Sequence, residues 1–225
     1  MANKEQTFKF PTETIDLPSG GKIYGEKSPL YDGKIELKYM TAKEEDILTS
    51  ENLIKKGTVI EKVLDSLIVT PGISSQNLLV GDKNAVMVAA RILAYGGQYR
   101  CEITHPTTGD KQEYDFDLTA CEFKEIADDV DYSDNSFEIQ LPISKVKINF
   151  KLLTGKDEED IKKSIKNLKK IGQNAEVTTR LKQMITSING DDTKAAINNF
   201  VDFMLSKESL YLREVVAIIN PDIDL

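Results

Sequence analysis

The apolar residues that follow position 40 recur at helical spacing, and the polar residues before them mark two helix starts. Thr41-Ala-Lys-Glu44 and Thr58-Val-Ile-Glu61 have the capping-box pattern, in which a Thr hydroxyl and a Glu carboxylate can satisfy otherwise unpaired backbone amides. Gly57 ends the first helix and Pro71-Gly72 ends the second. The pattern predicts one helix over residues 41–57 and another over residues 58–70.

A third helix is predicted over residues 85–95, where almost every side chain is apolar. Asp82 is the expected N-cap, and Gly96-Gly97 closes the helix. A helix that is apolar on all sides belongs in a protein core, so this helix is predicted to be buried. Its charged residue, Arg91, is expected to pair with a carboxylate as a structural contact.

The hydrophobic period then changes to two residues, which is the period of a β-strand. The first pair of alternating runs comprises Tyr99, Cys101 and Ile103, followed by Tyr114, Phe116 and Leu118. The second pair comprises Phe137, Ile139 and Leu141, followed by Val146, Ile148 and Phe150. Turn residues between the runs predict two antiparallel hairpins, the first with one apolar and one charged face.

From Leu152 onward the apolar spacing is helical again, and three or four short helices are predicted. The second of them is expected to include Ile185 and Ile188. The whole pattern predicts an α+β protein. Its predicted parts are an extended N-terminal arm (residues 1–38), an α+β domain with helices and two hairpins (39–151), and a C-terminal helical bundle (152–225).

The N-terminal arm carries more apolar side chains than a disordered tail, although proline and glycine interrupt every helical run. Four of these side chains, Leu17, Ile23, Tyr24 and Tyr31, are candidates for binding a partner protein or a second copy of the chain. The alternative is that they fold back onto the chain itself. The sequence leaves both interpretations open.

The composition narrows the class of protein. With 37 acidic and 29 basic residues the net charge is −8, which disfavours nucleic acid as a partner. The apolar runs are much shorter than the ~20 residues of a membrane-spanning helix, so no membrane association is expected. Two cysteines and an N-terminus without targeting features indicate a reducing compartment and a protein that stays where it is made.

The residue types that most catalytic and metal sites require are scarce. His105, the single histidine, lies at the edge of a predicted hairpin loop and is interpreted as an exposed loop residue. Cys101 and Cys121 lack the paired spacing of a zinc site and are interpreted as buried or half-buried thiols. The sequence therefore predicts no catalytic residue, no metal ligand and no cofactor.

Two charged clusters each have a structural and a functional interpretation. Asp128, Asp129, Asp131 and Asp134 lack the glycine and glutamate spacing of an EF-hand, which favours a solvated loop over a calcium site. The lysines of the first helix after Leu152 follow an acidic helix start. They favour a solvated face, with docking of an acidic partner as the alternative.

Seven short segments, spread over nearly the whole chain, together resemble a known protein family in their sequences and in their order. The first four are Leu17-Pro-Ser-Gly-Gly-Lys-Ile-Tyr24, Ser28-Pro-Leu30, Tyr39-Met-Thr-Ala-Lys-Glu-Glu-Asp46 and Leu79-Val-Gly-Asp-Lys-Asn-Ala85. The others are Leu141-Pro-Ile-Ser-Lys145, Phe150-Lys-Leu-Leu-Thr-Gly-Lys-Asp-Glu-Glu159 and Ile219-Asn-Pro-Asp-Ile-Asp224. In this order they resemble the T-even-type phage baseplate hub family, which includes tail assembly chaperones.

The resemblance implies a component of the central baseplate hub, or a chaperone that assembles the hub and the tape-measure protein. It implies a protein made in the bacterial cytoplasm that binds other tail proteins, with a homo-oligomer as a further candidate, and that carries no known catalytic chemistry. Similar members carry a Cys-x-x-Cys pair where this chain has His105-Pro-Thr-Thr108, so a zinc ribbon is expected to be degenerate or lost.

Two other classes compete with this interpretation. One is a small intracellular enzyme that uses carboxylates alone, because 37 acidic residues make neighbouring pairs inevitable. The other is a regulatory binding module that contacts nucleic acid through the lysine-rich helix, against which the net charge argues. A deep pocket with converging buried acids would favour the enzyme.

Overall fold

The computed structural model describes residues 10–124 and 130–224. In these ranges the helices are α1 (Ala42–Leu48), α2 (Glu51–Lys56), α3 (Val59–Leu67), α4 (Val80–Tyr95), α5 (Gly155–Lys170), α6 (Glu176–Met184), α7 (Lys194–Phe203) and α8 (Ser206–Ile219). The strands are β1 (Thr12–Asp16), β2 (Lys34–Lys38), β3 (Gln98–Thr104), β4 (Lys111–Asp117), β5 (Phe137–Gln140), β6 (Lys147–Phe150) and β7 (Ile185–Ile188). The predicted α+β class, with helices at the C-terminal end, is confirmed.

The strands form small antiparallel sheets. β1 pairs with β2 inside the arm, β3 pairs with β4, and β5, β6 and β7 form a three-stranded sheet in that order. In the β3–β4 hairpin Tyr99 lies opposite Phe116, and in the β5–β6 hairpin Phe137 lies opposite Phe150. Both hairpins that the alternating pattern predicts are therefore present.

The chain after α6 differs from the prediction of a helix that includes Ile185 and Ile188. Met184 ends α6, and β7 pairs antiparallel with β6, so that Ile188 lies opposite Ile148. Three of the four residues in β7 are β-branched, which favours an extended backbone. The free edge of β6 supplies the backbone partners, and the side chain of Ile185 is buried.

Two helix boundaries also differ from the sequence-based expectation. The predicted helix over residues 41–57 is interrupted after α1, because the Thr49 hydroxyl donates to the carbonyl of Glu45 and Ser50 is extended. The start predicted for the third helix is wrong. Leu79, rather than Asp82, is the N-cap of α4, and Asp82 lies buried inside its first turn.

Buried apolar side chains form two clusters, which we call the N-terminal core and the C-terminal core. The N-terminal core contains Leu17, Leu30, Ile35, Leu37, Val63, Leu64, Leu67, Ile68, Leu78, Val86 and Ala90. The C-terminal core contains Ile23, Leu79, Phe137, Leu141, Ile148, Phe150, Leu152, Leu153, Ile161, Leu181, Met184, Ile185, Ile197, Val201, Leu212 and Ile219. Residues of the arm contribute to both cores, and the division at residues 38 and 151 stays a prediction.

Candidate protein-binding site

The arm is packed against the body of the protein. Leu17 and Ile23 are only 3% and 7% exposed, so their side chains contribute to the chain's own cores. A tight turn makes this packing possible: Gly21 has a left-handed backbone (φ +84°), and a Cβ there would overlap the carbonyl oxygen of Leu30. The surface that these two residues could offer to a partner is therefore small.

A buried carboxylate attaches the arm to the first turn of α4. The carboxylate of Asp82 accepts hydrogen bonds from the Ser19 amide (2.9 Å), the Ser19 hydroxyl (2.7 Å) and the Tyr24 hydroxyl. The Tyr24 oxygen in turn accepts a hydrogen bond from the Leu79 amide at 2.9 Å. Three groups of the arm thus meet the start of one helix at a single side chain.

Burial determines the electrostatics of this cluster. It raises the pKa of Asp82 above its usual range, and hydrogen bonds from Tyr24 and Ser19 oppose the shift. Burial and the neighbouring Asp82 also raise the pKa of Tyr24. The nearest polar partners of Asp82 belong to the chain itself, so this cluster holds the arm in place.

Tyr31 is the most exposed of the four predicted arm residues. Its side chain is 37% exposed and lines an open groove of about 870 Å³ with Tyr24, Lys22, Asp131 and Asp134. The three carboxylates that line the groove, Glu26, Asp131 and Asp134, are exposed, and buried Asp82 does not line it. The structure thus places Tyr24 and Tyr31 at one groove and places Leu17 and Ile23 inside the cores.

The β3–β4 hairpin carries a larger apolar surface, which the sequence-based search for binding residues did not single out. Tyr99 (44%), Ile103 (44%), Tyr114 (40%) and Phe116 (45%) are exposed and share one face, which we call the hairpin face. Of the fourteen residues in the two strands, thirteen are exposed and Cys101 is half-buried. Three aromatic side chains on one face of an alternating pattern were the available signal, because aromatic residues are enriched in interfaces.

The opposite face of this hairpin is charged, as the sequence predicts. Arg100 lies opposite Asp115 and donates to its carboxylate at 2.7 and 3.1 Å. Lys111 donates to Glu102 at 2.7 Å. Two faces of opposite character therefore project from the protein on one two-stranded element.

A second exposed apolar surface lies at the C-terminal helices. Phe203 is 81% exposed at the end of α7, and Leu205 is 46% exposed in the connection to α8. Leu210, Tyr211 and Ile218 are 49%, 36% and 61% exposed on α8.

The histidine, the two cysteines and Arg91, which the sequence offers as candidates for chemistry, lie in surroundings that suit a structural role. His105 lies in the exposed turn of the β3–β4 hairpin, where its Nδ1 accepts hydrogen bonds from the amides of Thr107 and Thr108 at 3.3 and 3.2 Å. Cys101 and Cys121 are free and half-buried. Arg91 donates to the carbonyls of Gly96 and Gln98 and lies over two tyrosine rings, and within the described ranges it forms no ion pair with the expected carboxylate.

The described residues include only part of the acidic cluster that the sequence singles out. Asp128 and Asp129 lie outside the described residues, whereas Asp131 accepts a hydrogen bond from the amide of Ser133 at 2.9 Å. In residues 10–124 and 130–224 no three His, Cys, Asp or Glu side chains are grouped to hold a metal ion. Over the same ranges, no helix combines the length and apolar character needed to cross a bilayer.

The fold and these surfaces define an α+β protein with aromatic and aliphatic side chains exposed on a projecting hairpin and on its last helices. The family described as T4 bacteriophage base plate protein matches residues 9–212 of the chain. The chain belongs to this family, and the expected phage baseplate role is confirmed. Comparison with curated proteins and comparison with solved structures found no match.

Proposed function

We propose that this baseplate protein is a component of the central hub or a chaperone that assembles the hub and the tape-measure protein. It acts by binding other tail proteins, and its assembly takes place in the host cytoplasm. The observation that carries the proposal is the exposed hairpin face, with Tyr99, Ile103, Tyr114 and Phe116 on one side of a projecting element. Membership of a baseplate family favours such a binding role over catalysis.

The physical argument rests on the amount of apolar surface in water. At 40–45% exposure, three aromatic side chains and Ile103 leave on the order of 300 Å² of apolar surface in contact with solvent. This area is within the range of the largest apolar patch on a soluble monomer, which is often functional, and aromatic residues supply much of the affinity at binding sites. Burial of this surface by a partner would favour association.

The groove beside the arm is a second proposed contact. Tyr31 and Tyr24 both line it, and the Tyr24 hydroxyl is hydrogen-bonded to Asp82. Because Leu17 and Ile23 contribute to the cores, removal of residues 1–38 would disturb folding together with binding. A Tyr31→Ser substitution tests the groove without removing core side chains.

The test is complementation in a contractile-tailed phage that lacks the gene. The wild-type chain should restore infectious tails, and Tyr114→Ser/Phe116→Ser should fail because the hairpin face becomes polar. Glu113→Gln, which changes the opposite face of the same strand, is the matched control and should complement. Complete, infectious tails in the absence of the gene would refute a role in assembly.

A hub component and a chaperone differ in what happens to the protein after assembly. A hub component remains in the finished particle, whereas a chaperone leaves once the hub has formed. Mass spectrometry of purified phage particles therefore separates the two. A stoichiometric amount of the chain supports the hub component, and its absence from particles that required it for assembly supports the chaperone.

A further inference from the structure

The outer edge of β3 has backbone groups that the described part of the chain leaves without a strand partner. In residues 10–124 and 130–224, β3 pairs only with β4. The His105 amide donates to Asp110 and the Leu118 amide donates to Gly97, which marks hydrogen-bonded pairs at both ends of the hairpin. Because such pairs alternate along an antiparallel ladder, Gln98, Arg100, Glu102 and Thr104 point their N–H and C=O groups outward.

The two edges of the hairpin differ in the features that would prevent another β-strand from pairing with them. The outward residues of β4 are Lys111, Glu113, Asp115 and Asp117, and three carboxylates in a row repel a second acidic strand. β3 has regular register throughout and contains no proline or lysine, which are the usual protections of an edge. Its outward charges are one Arg and one Glu, separated by Cys101.

This edge is complementary to itself. If two copies of β3 align antiparallel with Cys101 at the centre, Arg100 of each copy lies opposite Glu102 of the other. On the hairpin face, Tyr99 of each copy lies opposite Ile103 of the other. The alignment also satisfies the backbone, because Arg100 and Glu102 both point their N–H and C=O groups outward. About six hydrogen bonds can form between the strands without using the Gln98 carbonyls, which accept from Arg91.

The pairing also improves an unfavourable contact within one copy. Glu102 lies directly opposite Glu113, and like charges at such a position are destabilising. Lys111 compensates in part by its hydrogen bond to Glu102. The guanidinium of Arg100 from a second copy would lie on the other side of Glu102 and supply an opposite charge there.

We propose that two copies of this chain associate through the outer edges of β3, forming a four-stranded antiparallel sheet in which the two Cys101 residues meet at the two-fold axis. The axis is perpendicular to the sheet, so both hairpin faces lie on the same side. Their combined apolar area is roughly 600 Å², closer to the ~800 Å² per partner of a stable interface. The dimer itself does not depend on the proposed function. Its use as a larger binding surface for tail proteins rests on that function.

Charge reversal tests the pairing on the purified full-length chain by sedimentation velocity. Arg100→Glu and Glu102→Arg each place like charges opposite one another in both pairs, so each should weaken dimerisation about tenfold. An equimolar mixture of the two variants should form heterodimers, because Glu then lies opposite Arg in both pairs. Lys55→Glu on α2, whose side chain is 74% exposed, is the control and should leave dimerisation unchanged.

Cysteine cross-linking tests the register. At the centre of the alignment Cys101 forms a pair without hydrogen bonds, with about 4.5 Å between Cα atoms, which is within disulfide range. After mild oxidation, Cys121→Ser should give a cross-linked dimer on a non-reducing gel, and Cys101→Ser should not. Three results would each overturn the proposal without affecting the baseplate role. The wild-type chain could be a monomer at all concentrations, the mixture of the Arg100→Glu and Glu102→Arg chains could fail to associate, or the cross-link could run through Cys121.

Discussion

The β3–β4 hairpin and the β5–β6 hairpin have the same alternating sequence pattern and opposite surroundings. Tyr114 and Phe116 of the first are 40% and 45% exposed, whereas Phe137 and Phe150 of the second are 9% and 0% exposed. The second hairpin receives β7 at its edge and packs into the C-terminal core. Alternation thus specifies that a strand has an apolar face, and other elements decide whether that face is covered.

The turns of the two hairpins show the same contrast. Glu208, buried on α8, accepts hydrogen bonds from the amides of Ile143 (3.1 Å) and Ser144 (2.6 Å) in the turn between β5 and β6. In the β3–β4 turn, His105 accepts hydrogen bonds from residues of the same turn. One turn is attached to a helix distant in sequence, and the other carries local contacts, which suits an element that projects toward a partner.

The largest expected effect comes from truncating the equivalent aromatic residue in each hairpin. Phe150→Ala should lower the free energy of unfolding by about 3–5 kcal/mol, because it leaves a cavity beside Phe137 in the C-terminal core. Phe116→Ala should lower it by less than about 1 kcal/mol, because that ring already contacts water. Denaturant unfolding measures both, and comparable losses would show that the hairpin face is covered in the free protein.

A smaller difference is expected between the two turns. Glu208→Ala should lower the free energy of unfolding by about 1–3 kcal/mol, because the amides of Ile143 and Ser144 lose their buried acceptor. Glu208→Gln, which keeps one acceptor oxygen, should lose less. His105→Ala should change stability by no more than about 0.5 kcal/mol in the same unfolding measurements. A larger loss from His105→Ala than from Glu208→Ala would contradict the contrast.

The smallest expected effect concerns pH. Burial alone would raise the pKa of Asp157, but hydrogen bonds from Lys151, Thr154 and Gln183 outweigh it and hold that pKa below its usual range. A lowered pKa in the folded state contributes stability that is present above the unfolded pKa of about 3.9 and is lost as the pH falls through the folded pKa. Asp157→Asn should therefore destabilise the protein at pH 7, with a difference from wild type that shrinks below about pH 4.

The matched variant for this pH experiment is Asp115→Asn in the exposed hairpin. Hydrogen bonds from Arg100 hold the pKa of Asp115 below its usual range, so its contribution has the same sign. The pair is exposed to solvent, which screens it, and its effect on stability at pH 7 should be smaller than that of Asp157→Asn. Thermal unfolding from pH 2.5 to 7 compares the two, and a larger effect from Asp115→Asn would contradict this ranking.

Local patterns predicted most of the secondary structure because the signals lie within a few residues. The two capping-box patterns predicted the starts of α1 and α3, although only the one at Thr41 and Glu44 forms, because Thr58 makes no side-chain cap hydrogen bond and Glu61 pairs with Lys83. The two-residue period predicted β3, β4, β5 and β6. The same reasoning failed for residues 185–188, whose apolar spacing suits a helix. The β-branched residues of β7 favour an extended backbone locally, but the open edge of β6, which supplies the pairing, cannot be read from these four residues.

The candidate site could be predicted only in part for the same reason. The apolar pattern of the arm predicts four binding residues, yet Leu17 and Ile23 lie in cores while Tyr31 lies at a groove. Asp82 resembled an N-cap in sequence, but its partners Ser19 and Tyr24 are some sixty residues away along the chain. Contacts of this kind depend on where the arm is placed.

The sequence by itself determined the α+β class, the positions of most elements and, through the order of its segments, the likeness to phage baseplate proteins. Tertiary structure alone decided which apolar faces are buried, because burial depends on the elements that pack against a face and not on the face itself. It covered Phe150 with the C-terminal core and left Phe116 in solvent. The hairpin face and the edge of β3 became candidate binding surfaces for this reason.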